Sequence, residues 1–151
     1  MRYGVDLMTQ TGYPFEDKIE VVFRDIDALG FVNNAVFFQY FEMVRIKYVY
    51  RFLEDSDVLD LDVPLILVHA SCDYKSPAVL GEVLAVGIGV SRFGNKSFDL
   101  TYRVEGEDGR LIATGKTVQV MYDYDDGCAF AIEDRIKEKV WAYQGDWQPE
   151  I

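Results

Sequence analysis

A chain of 151 residues, half of them hydrophobic, holds enough apolar material for one domain with a real core and too little length for two, so residues 1–151 are read as a single domain. Its 26 acidic and 15 basic side chains leave a net charge of -11, which sets the average surface against nucleic acid and anionic lipid. Cys72 and Cys128 stand far apart without metal-ligand spacing, the start lacks a signal-peptide pattern, and no apolar run approaches the ~18 residues that span a bilayer. The expectation is a cytoplasmic protein with no disulfide framework, no structural metal and no membrane insertion.

Residues 18–24 alternate Ile19, Val21 and Phe23 with charged or smaller neighbours and predict a first strand. Residues 25–30, with Asp25, Asp27 and Gly30, suit a turn, and either Asn33 or Asn34 can cap a helix. From 35 to about 53 there is no glycine or proline, and Phe37, Phe41, Val44, Tyr48 and Phe52 recur at helical spacing. Val36, Phe38, Tyr40 and Met43 widen that face, leaving Gln39, Glu42, Arg45 and Arg51 as most of the polar remainder, so the helix needs covering on several sides.

An acidic connector over 55–62 leads to Pro64 and a strand running to about 74. Residues 81–93 alternate Leu84, Val86, Ile88 and Val90 with Ala85, Gly87 and Gly89, where small side chains admit a close neighbour. Phe98, Leu100, Tyr102 and Val104 mark the next strand, and Asp108-Gly109 predicts a tight two-residue hairpin into a strand over 111–124. Ile132, Ile136 and Val140 share a helical face at the end. The order predicts an α+β fold, an antiparallel sheet of about five strands wrapped around a long central helix. The flat outer sheet face is expected to remain partly apolar and so to pair copies into a homodimer or tetramer.

Residues 23–45, carrying Asp25, Asp27, Gly30 and Asn34 as Asp-x-Asp-x-x-Gly followed by an asparagine near the helix start, resemble the 4-hydroxybenzoyl-CoA thioesterase family of hotdog-fold enzymes. Residues 73–82 are similar to that family's tyrosine, proline and glycine pattern, and residues 92–97 to its next turn. The resemblance covers roughly 18–124; Phe31 departs from it, standing where many relatives have histidine or a small aliphatic residue. It implies a thioesterase acting on an acyl-CoA or acyl-carrier-protein thioester, with coenzyme A as part of the substrate and no separate cofactor.

The physical case for Asp27 is a carboxylate held just before a helix start, whose free N–H groups favour negative charge. The Asn34 N–H can stabilise the oxyanion of a bound thioester, while by resemblance Asp27 either attacks the carbonyl or activates water. Asp25 is assigned to the turn, and Glu42 is the reserve carboxylate, with pairing to Arg45 or a solvent-facing position as its plainer roles. Gly30 serves the turn, and Phe37 and Phe38 are candidate acyl-pocket walls; among the cations near strand ends and turns, Lys75, Arg92, Lys96, Arg103 and Arg110, it is Arg92 and Lys96 beside the Gly94 turn that are expected to meet the phosphates despite the acidic average. His69, the sole histidine, lies in a strand pattern without a nucleophile signature. Competing readings are a non-catalytic acyl-thioester binder and a hotdog hydratase or dehydratase, the latter needing an acid–histidine partnership.

Overall fold

The computed structural model describes residues 9–54 and 63–150, so the acidic connector over 55–62 lies outside the described residues. Its elements are β1 (Phe15–Glu20), α1 (Val36–Leu53), β2 (Leu65–Tyr74), β3 (Val83–Phe93), β4 (Ser97–Glu105), β5 (Leu111–Asp123), β6 (Cys128–Ala129) and α2 (Asp134–Gln144). The strands form one antiparallel sheet in the order β1-β3-β4-β5-β2, and the short β6 pairs with β5. Among the described residues no helix is long and apolar enough to cross a membrane.

Strand periodicity puts Leu84, Val86, Ile88, Val90, Phe98, Leu100, Tyr102 and Val104 on one face of the sheet, all buried against α1. The helix answers with Phe37, Phe41, Val44, Tyr48 and Phe52, every one of them buried, so its wide apolar face is the second half of the core. Gly115 on β5 makes room for the Phe41 ring, which stacks on Tyr102 at a centroid distance of 4.3 Å. At the far end of α1, Ile132, Ile136 and Val140 close the core as their spacing predicts. Buried Gln144 takes both backbone groups of Val90 (2.7 and 2.9 Å) beside the irregularity that interrupts β3 pairing, and so satisfies polar atoms that the ladder leaves over.

Three expectations change. The first strand ends at Glu20, and Phe23 is 79% exposed, because Phe23–Asp25 form a 3-10 turn whose Asp25 carboxylate accepts the Val22 N–H. The hairpin between β4 and β5 is closed by Gly106 N–H to Arg110 C=O (2.9 Å), leaving a three-residue loop with Gly109 at φ +80°, not a two-residue one. The outer sheet face is more polar than expected: Asp99, Arg103, Glu105, Thr114 and Lys116 share it with Val118, and over β3 the close neighbours admitted by Gly87 and Gly89 are Thr11 with Tyr13 and Trp147. Tyr13 and Trp147 pack on each other at 4.9 Å. The apolar side chains left exposed include Met43 and Ile46 on α1 and Val63, Leu67 and Val68 at and beside the β2 edge.

Candidate active site

The stretch between β1 and α1 is a knotted series of short hydrogen bonds, which is how a loop of this length holds a side chain in place. The Asp27 N–H donates to Phe31 C=O (2.8 Å), Gly30 N–H to Asp27 C=O (3.0 Å), and Asn33 N–H to Asp25 C=O (2.8 Å). Gly30 sits at φ +85°, a conformation that disfavours any side chain, and this reverses the chain under Asp27. Val32 N–H donates to Ala78 C=O and Phe31 bridges to Val79, tying the loop to the segment after β2.

Asp25 and Asp27 divide the labour. Asp25 is buried and accepts from the Val22 N–H (3.1 Å) and the Tyr40 hydroxyl (3.0 Å), so it braces the turn against α1. Burial, reinforced by the Asp25 carboxylate, holds the Tyr40 hydroxyl well above the ordinary tyrosine range, and it stays a donor at neutral pH. Asp27 is exposed; its Oδ1 accepts the Leu29 N–H (2.8 Å), and among the described residues its Oδ2 has no partner.

The N-cap of α1 is Ala35, whose side chain cannot cap, so the turn before it holds the helix start: Asn33, not Asn34, accepts the Ala35 N–H at its Oδ1 (2.9 Å) and the Val36 N–H at its C=O (2.9 Å). This leaves the Asn34 N–H without an acceptor among the described residues, while the Asn34 C=O accepts from the Tyr74 hydroxyl (2.8 Å) at the end of β2. The Tyr74 ring meets Phe37 edge-on at 5.4 Å.

These groups line one open cleft of about 380 Å³, bounded by Asp27, Asn34 and Phe37 on one wall and by Tyr74, Lys75, Pro77 and Ala78 on the other. Of the residues expected from sequence, the cleft unites Asp27, Asn34 and Phe37, with Gly30 in the turn beneath. Phe38 is half-buried and packs edge-on against Phe41 instead. Arg92 and Lys96 are exposed at and beyond the other end of β3, six residues and more along the strands from the rung that Tyr74 shares with Val86, and Lys75 is the cation that lines the cleft. The Glu42–Arg45 pair is not formed: Glu42 is exposed, and Arg45 donates to the Tyr102 hydroxyl (3.3 Å). His69 is exposed on β2 opposite Val118, away from Asp27. Burial raises the Cys72 thiol above its ordinary value, and Cys128 is exposed. Among the described residues no three His, Cys, Asp or Glu side chains converge as metal ligands.

Sequence reasoning did not single out Tyr74, although the pattern at 73–82 contained it, and it named Lys75 only within a set of five cations near strand ends and turns, preferring Arg92 and Lys96. It also did not find the Tyr40–Asp25 brace, which joins residues fifteen apart and leaves no local signature.

A sheet with one long helix laid on its inner face and a carboxylate presented at that helix's start is the hotdog type of α+β fold. The chain belongs to the thioesterase-like superfamily, whose family model matches residues 21–140. It is 30% identical over 129 residues to the uncharacterized protein YsmA of Bacillus subtilis, covering 85% of this chain and 86% of that protein. It is 25% identical over 130 residues to the long-chain acyl-CoA thioesterase FadM of Escherichia coli, covering 83% and 96%. Among solved structures, a thioesterase from Thermus thermophilus complexed with coenzyme A and Zn superposes with a TM-score of 0.77 at 32% identity, over 88% of this chain and 96% of that one.

Proposed function

We propose that the protein hydrolyses acyl-CoA thioesters in the cleft at Asp27, in the manner of the 4-hydroxybenzoyl-CoA thioesterases that its turn resembles. The observation that carries this reading is that one cleft is lined both by Asp27, whose Oδ2 has no partner among the described residues, and by Asn34, whose N–H has no acceptor among them. A thioester carbonyl bound between them accepts from the Asn34 N–H, and the negative charge that grows on its oxygen is met by that donor and by the helix start. Asp27 then acts in one of two ways. As nucleophile it forms an acyl anhydride and expels the thiolate, and water later cleaves the anhydride; as base it takes a proton from the attacking water, and the tetrahedral intermediate expels the thiolate. Either route ends in free acid and thiol.

Phe37 and Ala78 give the acyl group an apolar wall, and Lys75 offers the phosphates of coenzyme A a charge partner in an otherwise acidic protein. The coenzyme A in the Thermus complex and the activity for which FadM is named favour coenzyme A over a carrier protein as the thiol. Arg92 and Lys96 serve this cleft only from another copy of the chain. A second copy is favoured by the β2 edge, ten residues long, largely exposed, carrying Leu67 and Val68 and preceded by Val63, a surface that isolated proteins cover or interrupt.

The test is release of free thiol from a panel of acyl-CoAs, short to long and aromatic. Turnover above the uncatalysed rate supports hydrolysis. Saturable binding with no thiol released from any of them makes the protein an acyl-thioester binder and ends the enzyme reading.

A further inference from the structure

The second wall of the Asp27 cleft is the segment that joins β2 to β3, and backbone holds both its ends. At one end the Ile112 C=O accepts the Lys75 and Ser76 N–H groups (2.8 and 3.1 Å); at the other Val21 bonds to Gly81 and Glu82 (2.9 Å each). Between the ends stand Pro77 and Ala78, which line the cleft, and Pro77 has no N–H of its own to anchor the chain.

Side chains hold this middle part. Arg110, where the hairpin between β4 and β5 closes, donates from Nη2 to Pro77 C=O (3.2 Å) and to Glu82 Oε1 (2.7 Å), and from Nη1 to Asp108 Oδ2 (2.8 Å). Glu82 Oε2 accepts the Val79 N–H (3.2 Å). Gly106 in the hairpin makes the space, since a Cβ there would stand 2.5 Å from Glu82 Oε1. Both Nη2 hydrogens are engaged and two carboxylates balance the charge, an arrangement that suits a clasp and not a site for coenzyme A phosphates.

A chain of bonds runs from this clasp to the Asp27 turn. Pro77 leads to Ala78, whose C=O accepts the Val32 N–H (2.9 Å); Val32 follows Phe31, whose C=O accepts the Asp27 N–H (2.8 Å). Arg110 itself is not among the residues that line the cleft. We propose that Arg110, clasped to Glu82, is a positioning residue: it fixes the Pro77–Ala78 wall against Asp27 and Asn34 and touches no substrate atom. This deepens the thioesterase reading and rests on it for the reaction. A carbonyl must meet the Asn34 N–H and Asp27 together, so a wall that drifts by about 1 Å lowers the rate more than the affinity.

The experiment measures Arg110→Lys and Glu82→Gln beside the native protein, on an acyl-CoA and on the same acyl group carried by pantetheine, which has no phosphate. Lysine keeps the charge and loses the fork; glutamine offers one oxygen to two donors. Both variants should lose roughly fivefold to tenfold in kcat on the acyl-CoA, the worth of one hydrogen bond, and the same factor in kcat/KM on the pantetheine thioester. A phosphate-binding Arg110 gives the opposite pattern: kcat stays native, and Glu82→Gln, which frees the guanidinium, lowers KM for the acyl-CoA alone. That result overturns the proposal. A lowered Tm with native kinetics below the transition makes the clasp a matter of stability only and overturns it as well.

Amide hydrogen exchange gives a readout independent of hydrolysis. In both variants the Val32 and Asp27 N–H groups should exchange at least about fivefold faster, while Ile88 in the middle of β3 stays within about twofold of native. This supports the clasp even if the native protein cleaves no thioester and the thioesterase reading falls. Exchange that is unaltered, or quickened equally at Ile88, overturns the proposal and leaves the thioesterase reading standing.

Discussion

Gly115→Ala tests how the helix is seated. A Cβ at this position would stand 2.4 Å from Cε2 and Cζ of Phe41 and 3.1 Å from Ser71 C=O. The ring has nowhere to go: Phe41 is fully buried, stacked on Tyr102 at 4.3 Å and met edge-on by Phe38 at 6.1 Å. Overpacking of this kind costs about 1–3 kcal/mol, and in a chain of this size each kcal/mol lowers Tm by roughly 2–4 °C. A fall of about 2–12 °C is therefore expected in thermal denaturation followed by circular dichroism. Phe41→Leu in the same background should recover part of the loss, so that the double variant is less destabilised than the sum of the singles by about 0.5–3 kcal/mol. A Tm within about 1 °C of native, or strict additivity of the two changes, refutes the account of Gly115 as the slot for Phe41.

Tyr40→Phe strips the hydroxyl from a buried carboxylate, Asp25, and should cost about 1.5–3 kcal/mol in urea unfolding; a loss under about 0.5 kcal/mol would contradict the brace. Burial raises the hydroxyls of Tyr13, Tyr40, Tyr48 and Tyr102, so the native state keeps protons that the unfolded chain gives up near pH 10. Stability should be full below about pH 10 and fall above it, by up to ~1.4 kcal/mol per pH unit for each such tyrosine; equal unfolding free energies on both sides of that value would show the sign to be wrong. Tyr74→Phe removes the hydroxyl that fixes the Asn34 carbonyl and should lower kcat/KM by roughly twofold to tenfold with little change in Tm, whereas native kinetics would detach Tyr74 from the site.

Helix α1 was legible almost to the residue, because nineteen positions without glycine or proline and an apolar repeat at helical spacing admit no other element. The strands were legible for the same kind of reason, but their ends were not. Alternation carried the first strand through Phe23, and what stops it is the Asp25 carboxylate reaching back to Val22, a contact that periodicity does not encode. Glycines in β3 correctly announced a close neighbour, yet not that Thr11, Tyr13 and Trp147 would be the ones to arrive.

The site divides the same way. Asp27 and Asn34 were named from a local pattern, and the cleft joins them because the whole pattern lies in one loop and the turn of helix after it. Arg92 and Lys96 were chosen for standing beside a turn, which says nothing of the end of the sheet at which that turn lies. The clasp of Arg110 on Glu82 and Pro77 joins residues 28 and 33 apart in sequence, and only the folded chain assembles it.

The most direct test of the central claim is the hydrolysis rate of Asp27→Asn on the best acyl-CoA, measured beside the native protein with both melting curves in hand. Asp27 is exposed and its one hydrogen bond is local, so the variant should keep the native Tm within a few degrees while turnover falls by at least about a hundredfold, the scale of a lost general base or nucleophile. An unaltered fold with turnover close to native would place the chemistry elsewhere and contradict the account.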